Sequence, residues 1–275
     1  MIRLSAFADE ISPDIDEQIA VLLAEGIHHV ELRGAWNTGV LDLGDSRIGR
    51  IRESFAAAGI DVVAVASPVG KAPADTPVDS ILDRLHRAIA VAEALNCADI
   101  RVFSFYPPSA PVQPETGYRD EVMNRLRAMV DAAADAGMRL LHENDVGLYG
   151  ATVAGCADIL KALPGPSLGA VLDPANYLLI GECPYPDGYE AVRARLASVH
   201  VKDVAAGQIV AAGEGNARFP DLLLRLKEDG YDGAFALEPH LGSAGQFQGF
   251  SGPERFSYAA GRLKALLADL DWAWS

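Results

Sequence analysis

The chain has 275 residues, of which 50% are hydrophobic and 22% are charged. These proportions are those of an ordinary globular protein and exclude a largely disordered chain. The 38 acidic residues outnumber the 23 basic ones, so the formal net charge is −15, and such a field repels nucleic acid and anionic membrane surfaces. We therefore expect neither as a partner, although a local basic pocket for a small phosphate stays open.

The cysteines and the first residues bear on the cellular compartment. Cys97, Cys156 and Cys183 are odd in number and far apart, which suggests neither a disulfide framework nor a thiolate zinc site. Asp9 and Glu10 stand where a signal peptide needs an apolar stretch, and no window reaches the roughly 18 apolar residues of a membrane span. We therefore expect a cytoplasmic protein.

Eight short apolar segments are predicted as strands. In chain order they are 2–8, 28–33, 60–67, 98–104, 138–143, 168–173, 197–202 and 233–238. Four of them follow an amphipathic run that ends in glycine, as expected where a helix ends in the left-handed conformation and a buried strand begins. These glycines are Gly26, Gly59, Gly137 and Gly230.

Helical periodicity fills the segments between the strands. Asp14 stands where the first helix begins, and Asp45 with Ser46 can cap the second. We interpret Asp9 and Glu10, which close the first strand, as a further cap on the first helix. The sequence therefore predicts a regular alternation of strand and helix.

An alternation repeated eight times, without a break in composition, predicts a single (β/α)8 TIM barrel over residues 1–275. A doubly wound open sheet is the alternative, disfavoured because no strand leads into a G-x-G-x-x-G turn. The proline-rich stretch from Tyr106 to Gly117 follows the fourth strand. It is predicted as a long loop, either a lid or a passive part of the surface.

Ionisable residues close the last four predicted strands, which end in Glu143, Asp173, His200 and Glu238. Charged groups there are costly unless they are paired or bind a metal, and the carboxyl ends of barrel strands carry the active site. Any one of these residues alone is equally well a helix cap or a salt-bridge partner. Together they predict a metal centre, and the hard donor set suits Mn²⁺, Mg²⁺ or Co²⁺, with Zn²⁺ also open.

Two basic side chains are predicted beside these ligands. Lys202 lies two residues beyond His200 on the same side of its strand and is predicted to contact substrate or to pair with Glu214. His240 lies two residues beyond Glu238 and is predicted to face the pocket by the same alternation.

The other strands offer supporting candidates. Glu31 and Arg33 share a side of the second strand and are predicted to form a buried ion pair, with Arg33 able to reach substrate. His142 alternates with Glu143 and is predicted to be a packing residue. Four aromatic residues near strand ends are candidates for apolar walls against a sugar ring or, alternatively, for the core: Phe7, Trp36, Phe103 and Phe105.

The strand ends carry E-N, L-D-P-A-N, H-V-K-D and L-E-P-H in order, and the chain also contains FADEIS and AGEG. This pattern resembles the sugar phosphate isomerase/epimerase family with a xylose-isomerase-like TIM barrel, over essentially the whole chain. In relatives such as the D-tagatose and D-psicose epimerases, the equivalents of Glu143, Asp173, His200 and Glu238 bind a divalent metal, usually Mn²⁺. The resemblance also implies that the two glutamates exchange protons with a carbohydrate, and it is compatible with a homo-oligomer, dimer or tetramer.

The sequence departs from those ketose epimerases at substrate-contacting positions. Asn176 replaces a histidine three residues after the metal aspartate, and Lys202 is the nearest basic group to the position of an arginine after the metal histidine. The substrate contacts that we expect are Asn176, Lys202, His240, Arg33 and Trp36. Related branches of the family act on inositol-derived ketones, hydroxypyruvate and 3-keto-glycosides, so the resemblance implies the chemistry more firmly than the substrate.

The ligand set predicts carbon-acid chemistry. A carboxylate that removes the proton α to a carbonyl produces an enediolate, which a divalent ion stabilises. Return of the proton inverts the carbon or completes an aldose–ketose isomerisation, whereas loss of a β leaving group makes the enzyme a lyase, such as a keto-inositol dehydratase or keto-glycoside deglycosidase. A noncatalytic sugar-binding barrel and a three-zinc abasic-site endonuclease are further alternatives, and the negative charge disfavours the latter.

Overall fold

The computed structural model describes residues 1–109, 117–242 and 250–275. Eight parallel strands form a closed barrel in which each strand pairs with its neighbours in the chain and the last pairs with the first. This confirms the (β/α)8 barrel and excludes the open sheet. The strands are β1 (Arg3–Ala6), β2 (His29–Leu32), β3 (Asp61–Val65), β4 (Asp99–Val102), β5 (Arg139–Glu143), β6 (Leu168–Leu172), β7 (Leu196–Val201) and β8 (Ala234–Leu237).

Helices separate the strands and cover the barrel. They are α1 (Ile15–Ala24), α2 (Asp45–Ala58), α3 (Val78–Ala94), α4 (Arg119–Asp135), α5 (Val153–Ala162), α6 (Pro174–Leu179), α7 (Tyr189–Val192), α8 (Phe219–Glu228) and α9 (Pro253–Asp269). Two short hairpins stand at the carboxyl end of the barrel, Gly34–Ala35 with Thr38–Gly39 and Asp203–Ala205 with Gln208–Val210. In the described part of the chain, no helix is long and apolar enough to cross a membrane.

The local signals at the helix ends are mostly confirmed. Asp14 caps α1 by accepting hydrogen bonds from two backbone amides of the first turn. The four glycines predicted at helix ends all have positive φ, between +65° and +73°. The cap predicted for α2 is wrong, because Gly44 is its N-cap and Asp45 is already helical. The Asp45 carboxylate instead lies 2.7 Å from Arg87 of α3.

Seven of the eight strands are shorter than predicted, and β7 has the predicted length but is shifted by one residue, which matters for the site. Asp173, Lys202 and Glu238 each follow the last residue of a strand instead of belonging to it. Their side chains therefore lie where the strands open towards the loops. The loop predicted from Tyr106 to Gly117 lies mostly outside the described residues, which omit 110–116.

The last residues of the chain close the opposite end of the barrel. The backbone of Ser275 exchanges hydrogen bonds with Ile2 and Leu4 at the start of β1, and the Trp272 ring packs edge-on against Phe235 of β8. The terminal segment thus packs on its own barrel, which places the functional face at the other end.

Candidate metal and substrate site

Four side chains from the last four strands converge at the carboxyl end of the barrel. Each of Glu143, Asp173, His200 and Glu238 offers one ligand atom, and the four atoms lie within 4.8 Å of one another. All four residues are buried. Nδ1 of His200 lies 3.2 Å from Oε1 of Glu143 and 3.3 Å from Oε2 of Glu238. The structure therefore brings together the set predicted from the strand ends.

The orientation of the His200 ring is set by a buried carboxylate on its far side. Oε2 of Glu31 lies 3.2 Å from Nε2 of His200, and its Oε1 accepts a hydrogen bond from the Ser198 hydroxyl at 2.6 Å. The predicted ion pair between Glu31 and Arg33 is therefore wrong. A register irregularity follows Val30, and β2 ends before Arg33, so strict alternation does not extend to these side chains.

Arg33 points instead across the barrel. Its guanidinium lies 2.8 Å from Asp9 and 3.0 Å from Oε1 of Glu238. The Arg33 side chain is largely buried, with only 12% of it exposed. Arg33 thus reaches the predicted ligand set through an ion pair with one of its members, and it also lines the cavity described below.

Glu10 is completely buried and holds the loop after β8. Its Oε2 accepts hydrogen bonds from the backbone amide of His240 and from the Ser251 hydroxyl, at 2.9 and 2.8 Å. Nε2 of His240 lies 3.1 Å from Oε1 of Glu10 and 3.3 Å from Oε1 of Glu238. The interpretation of Asp9 and Glu10 as a cap on α1 is therefore wrong. Both belong to the site, and His240 faces the cavity as predicted.

Lys202 lies against two members of the ligand set. Its Nζ is 2.7 Å from Oδ2 of Asp173 and 3.0 Å from Oε2 of Glu238. The alternative partner, Glu214, is instead near Arg262, at 3.4 Å. Lys202 therefore lines the cavity while being paired with two carboxylates.

Arg101 of β4 was missed by the sequence reasoning. Its Nη1 lies 3.1 Å from Oε2 of Glu143, and its guanidinium stacks near the rings of Phe7 and Phe103, at 5.3 and 4.8 Å from the centroids. Only 5% of the residue is exposed. A charged residue inside a predicted barrel strand was the available signal, because burying a charge requires a partner.

The carboxylates differ in their electrostatic environment. Burial favours the neutral acid, but the charges of His200 and Arg101 outweigh it and lower the pKa of Glu143 to about 2. The pKa of Glu238 is likewise well below its usual value, because Lys202 and His240 outweigh burial. Burial prevails at Asp173, whose pKa rises to about 6 in spite of Lys202. Both glutamates are therefore ionised at neutral pH.

Two asparagines tie the ends of β5 and β6 together. The Asn144 side chain donates to the carbonyl of Asp173 at 2.9 Å and accepts from its amide at 2.8 Å. Asn176 donates from Nδ2 to the Asn144 carbonyl at 3.0 Å, and its Nδ2 is 3.5 Å from Oε1 of Glu143. The E-N and D-P-A-N motifs thus position two ligands, and Asn176 lines the cavity as predicted.

A cavity of about 670 Å³ opens above these groups, within the size range of small-molecule sites. Phe103 and Lys71 contribute to its wall. Trp36, which the sequence predicted as a substrate contact, is not among the lining residues. Its ring lies outside against the guanidinium groups of Arg47 and Arg50, at 5.6 and 5.3 Å. The remaining aromatic candidates, Phe7 and Phe105, are fully buried.

The donor set fits a divalent ion. Three carboxylates and one imidazole nitrogen are the ligands that Mn²⁺, Mg²⁺ and related ions bind. The far nitrogen of His200 lies beside Glu31, which is the arrangement that orients metal-binding histidines. This buried cluster, of which Glu143 and Glu238 line the cavity, can therefore hold a divalent metal.

Comparisons with known proteins support this description of the fold. The family model described as xylose isomerase-like TIM barrel matches residues 19–266. A comparison with curated proteins finds no match.

Several solved structures are similar over nearly the whole chain. A probable 3-DHS dehydratase from Bacillus anthracis is 15% identical, with 96% of this chain and 99% of that chain covered and a TM-score of 0.76. A 3-keto-D-glucoside 4-epimerase from E. coli is 17% identical, with coverage of 97% and 98% and a TM-score of 0.72. A xylose isomerase-like TIM barrel protein from Mycobacterium smegmatis, in complex with magnesium, is 19% identical, with coverage of 97% for both chains and a TM-score of 0.67. At these identities the similarity shows the fold alone.

Proposed function

Because the chain belongs to the xylose isomerase-like TIM barrel family, we propose that it is a metal-dependent epimerase or isomerase of a keto sugar. The observation that carries the proposal is the convergence of Glu143, Asp173, His200 and Glu238 in one buried cluster. Two of its members, Glu143 and Glu238, line the cavity. A sugar-binding module has no need of several buried carboxylates, because their burial is costly. A solved structure of the same fold is a 3-keto-D-glucoside 4-epimerase, which supports a keto sugar as substrate.

The four clustered side chains would hold the metal, with Mn²⁺ as the first ion to test. When bound, the ion supplies positive charge beside the substrate carbonyl and thereby makes the adjacent C–H more acidic. Glu143 and Glu238 are ionised, so either can accept that proton. Arg101 holds one oxygen of Glu143, and Lys202 holds one of Glu238.

Proton return completes the reaction. For inversion, the glutamate that took the proton releases it to solvent, and a solvent proton reaches the opposite face of the same carbon on the side of the second glutamate. Delivery to the neighbouring carbon, with a proton shift between the two oxygens, interconverts aldose and ketose instead. Neither outcome adds or removes atoms from the substrate. Inversion by this route replaces the α hydrogen with one from solvent, so isotope exchange reports the chemistry before the product is known.

The test is solvent exchange with a panel of keto sugars in deuterated water. The Mn²⁺-loaded protein should incorporate deuterium at the carbon next to the carbonyl, as followed by NMR and mass spectrometry. Glu143→Gln and Glu238→Gln should each lower the rate by several orders of magnitude at saturating metal. The exposed Glu53→Gln is the control and should keep the full rate. Equal rates in all four proteins would reject the proposal.

A lyase is the second candidate, because a probable dehydratase has the same fold. The same proton abstraction followed by loss of a β-hydroxyl releases water and leaves an unsaturated ketone. Mass spectrometry distinguishes the two reactions, since elimination of water lowers the product mass whereas epimerisation and isomerisation do not.

A further inference from the structure

The four Lys and Arg side chains that line the cavity in the described part of the chain are each paired with a carboxylate. Lys71 lies 2.6 Å from Asp145, and the others are the pairs of Arg33, Arg101 and Lys202 already described. The segments 110–116 and 243–249, outside the described residues, contain no Lys, Arg or His, so neither segment adds a cation.

The charge balance at the cavity is negative before any metal binds. Among the described residues, four Lys and Arg side chains line the cavity, and seven carboxylates line it or pair with these cations. The carboxylates are those of Asp9, Glu10, Asp42, Glu143, Asp145, Asp173 and Glu238. A divalent ion offsets most of this excess. A phosphate dianion would restore the excess of negative charge beside these buried carboxylates, and uncompensated charge next to buried groups is unfavourable.

Several backbone amides near the cavity, in the part of these loops that the structure describes, are also used. TIM barrels commonly bind phosphate with the loops after the seventh and eighth strands. After β7, the buried Asp203 carboxylate accepts hydrogen bonds from four amides, those of Val204, Gly213, Gly215 and Ala217. The AGEG turn therefore binds a carboxylate of the protein itself, and these amides are not available to an external anion.

The amides after β8 are satisfied as well. The amide of His240 donates to Glu10, that of Leu241 to the Ser251 hydroxyl and that of Gly242 to the carbonyl of Phe250. In the described part of this loop, no amide from 240 to 242 is left for a phosphate oxygen.

We infer that the substrate is an uncharged polyhydroxy ketone and not a sugar phosphate. This inference rests on the proposed function and names the substrate class of the same site. Paired ions and the Asn176 amide can donate to and accept from hydroxyl groups, which carry no charge to compensate. The apolar part of the wall, which includes Val40, Leu41 and Phe103, offers contact for the carbon skeleton.

Matched substrate pairs test the inference by calorimetry on the Mn²⁺-loaded protein. The pairs are D-fructose with D-fructose 6-phosphate and D-tagatose with D-tagatose 6-phosphate. We expect the uncharged member of at least one pair to bind at least tenfold more tightly than its phosphate. Tighter binding of the phosphorylated member in both pairs would overturn the inference, and so would failure of both uncharged sugars to bind.

A variant that leaves Lys71 without its carboxylate partner tests whether this ion pair excludes phosphate. Asp145→Asn removes the partner of Lys71 and should shift the affinity ratio about tenfold towards the phosphorylated sugar. Asp42→Asn is the matched control, because it removes a charge from the same wall while its partner, Arg84, is half-exposed and outside the lining. Equal shifts in both variants would show that pairing of the cavity cation is not what excludes phosphate.

The two proposals fail separately. Binding of uncharged sugars without solvent exchange would reject the proposed function and keep the substrate class. Exchange at the α carbon of sugar phosphates alone would keep the function and reject the substrate class.

Discussion

At the scale of single residues, Glu31 decides which nitrogen of His200 faces the carboxylate cluster. With Nε2 hydrogen-bonded to Glu31, Nδ1 is the nitrogen left for a metal. Outer carboxylates of this kind fix the tautomer of a histidine ligand and raise its basicity. Glu31 contacts no other member of the ligand set among its described hydrogen bonds, so its effect is expected to pass through the imidazole.

We predict that Glu31→Gln weakens Mn²⁺ binding by roughly tenfold and Glu31→Ala by roughly a hundredfold. Glutamine keeps a hydrogen-bond acceptor but loses the charge, whereas alanine removes both. Calorimetric titration gives the affinity, and the absorption spectrum of the Co²⁺ form reports the ligand geometry independently of activity. Glu53→Gln is the surface control, and an unchanged Mn²⁺ affinity in Glu31→Ala would contradict this role.

Residue-scale predictions succeeded where the chemistry was local. Glu143 is the last residue of β5, and His200 is the last but one residue of β7. The cost of burying such ionisable groups was enough to single them out. Glu31 and His200 lie 169 residues apart, and Arg33 and Glu238 lie 205 apart. No periodicity within a strand specifies which of several acids will be the partner across the barrel.

At the scale of elements, the segment after β7 is organised around one side chain. Asp203 is fully buried and joins the Asp203–Ala205 hairpin strand to the glycine turn. Any Cβ on Gly215 would lie 2.3 Å from Oδ1 of this carboxylate, so only glycine allows the approach. The hairpin in turn carries Ile209 into the cavity wall.

We predict that Asp203→Asn destabilises the protein by about 3 kcal/mol, because hydrogen bonds to a charged group contribute roughly 1.5–3 kcal/mol and the amide cannot accept all four. Urea unfolding followed by circular dichroism measures the change. The exposed Asp232→Asn should lie within about 0.5 kcal/mol of the wild type. Hydrogen exchange should also rise in the hairpin and the glycine turn, and uniform exchange across the barrel would argue against a local role.

At the scale of the whole molecule, a buried histidine makes stability depend on pH. His142 is 1% exposed and packs against Gly150, as predicted for a residue that alternates with Glu143. Burial lowers its pKa to about 4 in the folded protein, whereas an unfolded histidine titrates near 6.5. The unfolded state therefore binds more protons between these values, and the folded state loses stability as the pH falls through 6.5 towards 4.

We predict that this histidine accounts for a loss of about 2 kcal/mol in unfolding free energy between pH 7 and pH 5. His142→Gln should reduce the loss by that amount, although its stability at pH 7 can itself differ. The exposed His86→Gln is the control and should keep the wild-type pH dependence. Urea unfolding in EDTA at both pH values makes the comparison without a contribution from metal binding. If the unfolding free energy changed equally between pH 7 and pH 5 in the wild type and in His142→Gln, the assignment would be refuted.

The sequence by itself determined the barrel, the bounds of its strands to within two residues, and the four groups that meet at its mouth. These follow from short-range patterns, because helix-ending glycines, strand periodicity and polar strand ends are local in the chain. Only the tertiary structure decided that Glu31 supports His200, that Trp36 lies outside the cavity, and that every cavity cation among the described residues is paired. Such pairings depend on distances near 3 Å between residues far apart in the chain, and closure of the barrel sets those distances.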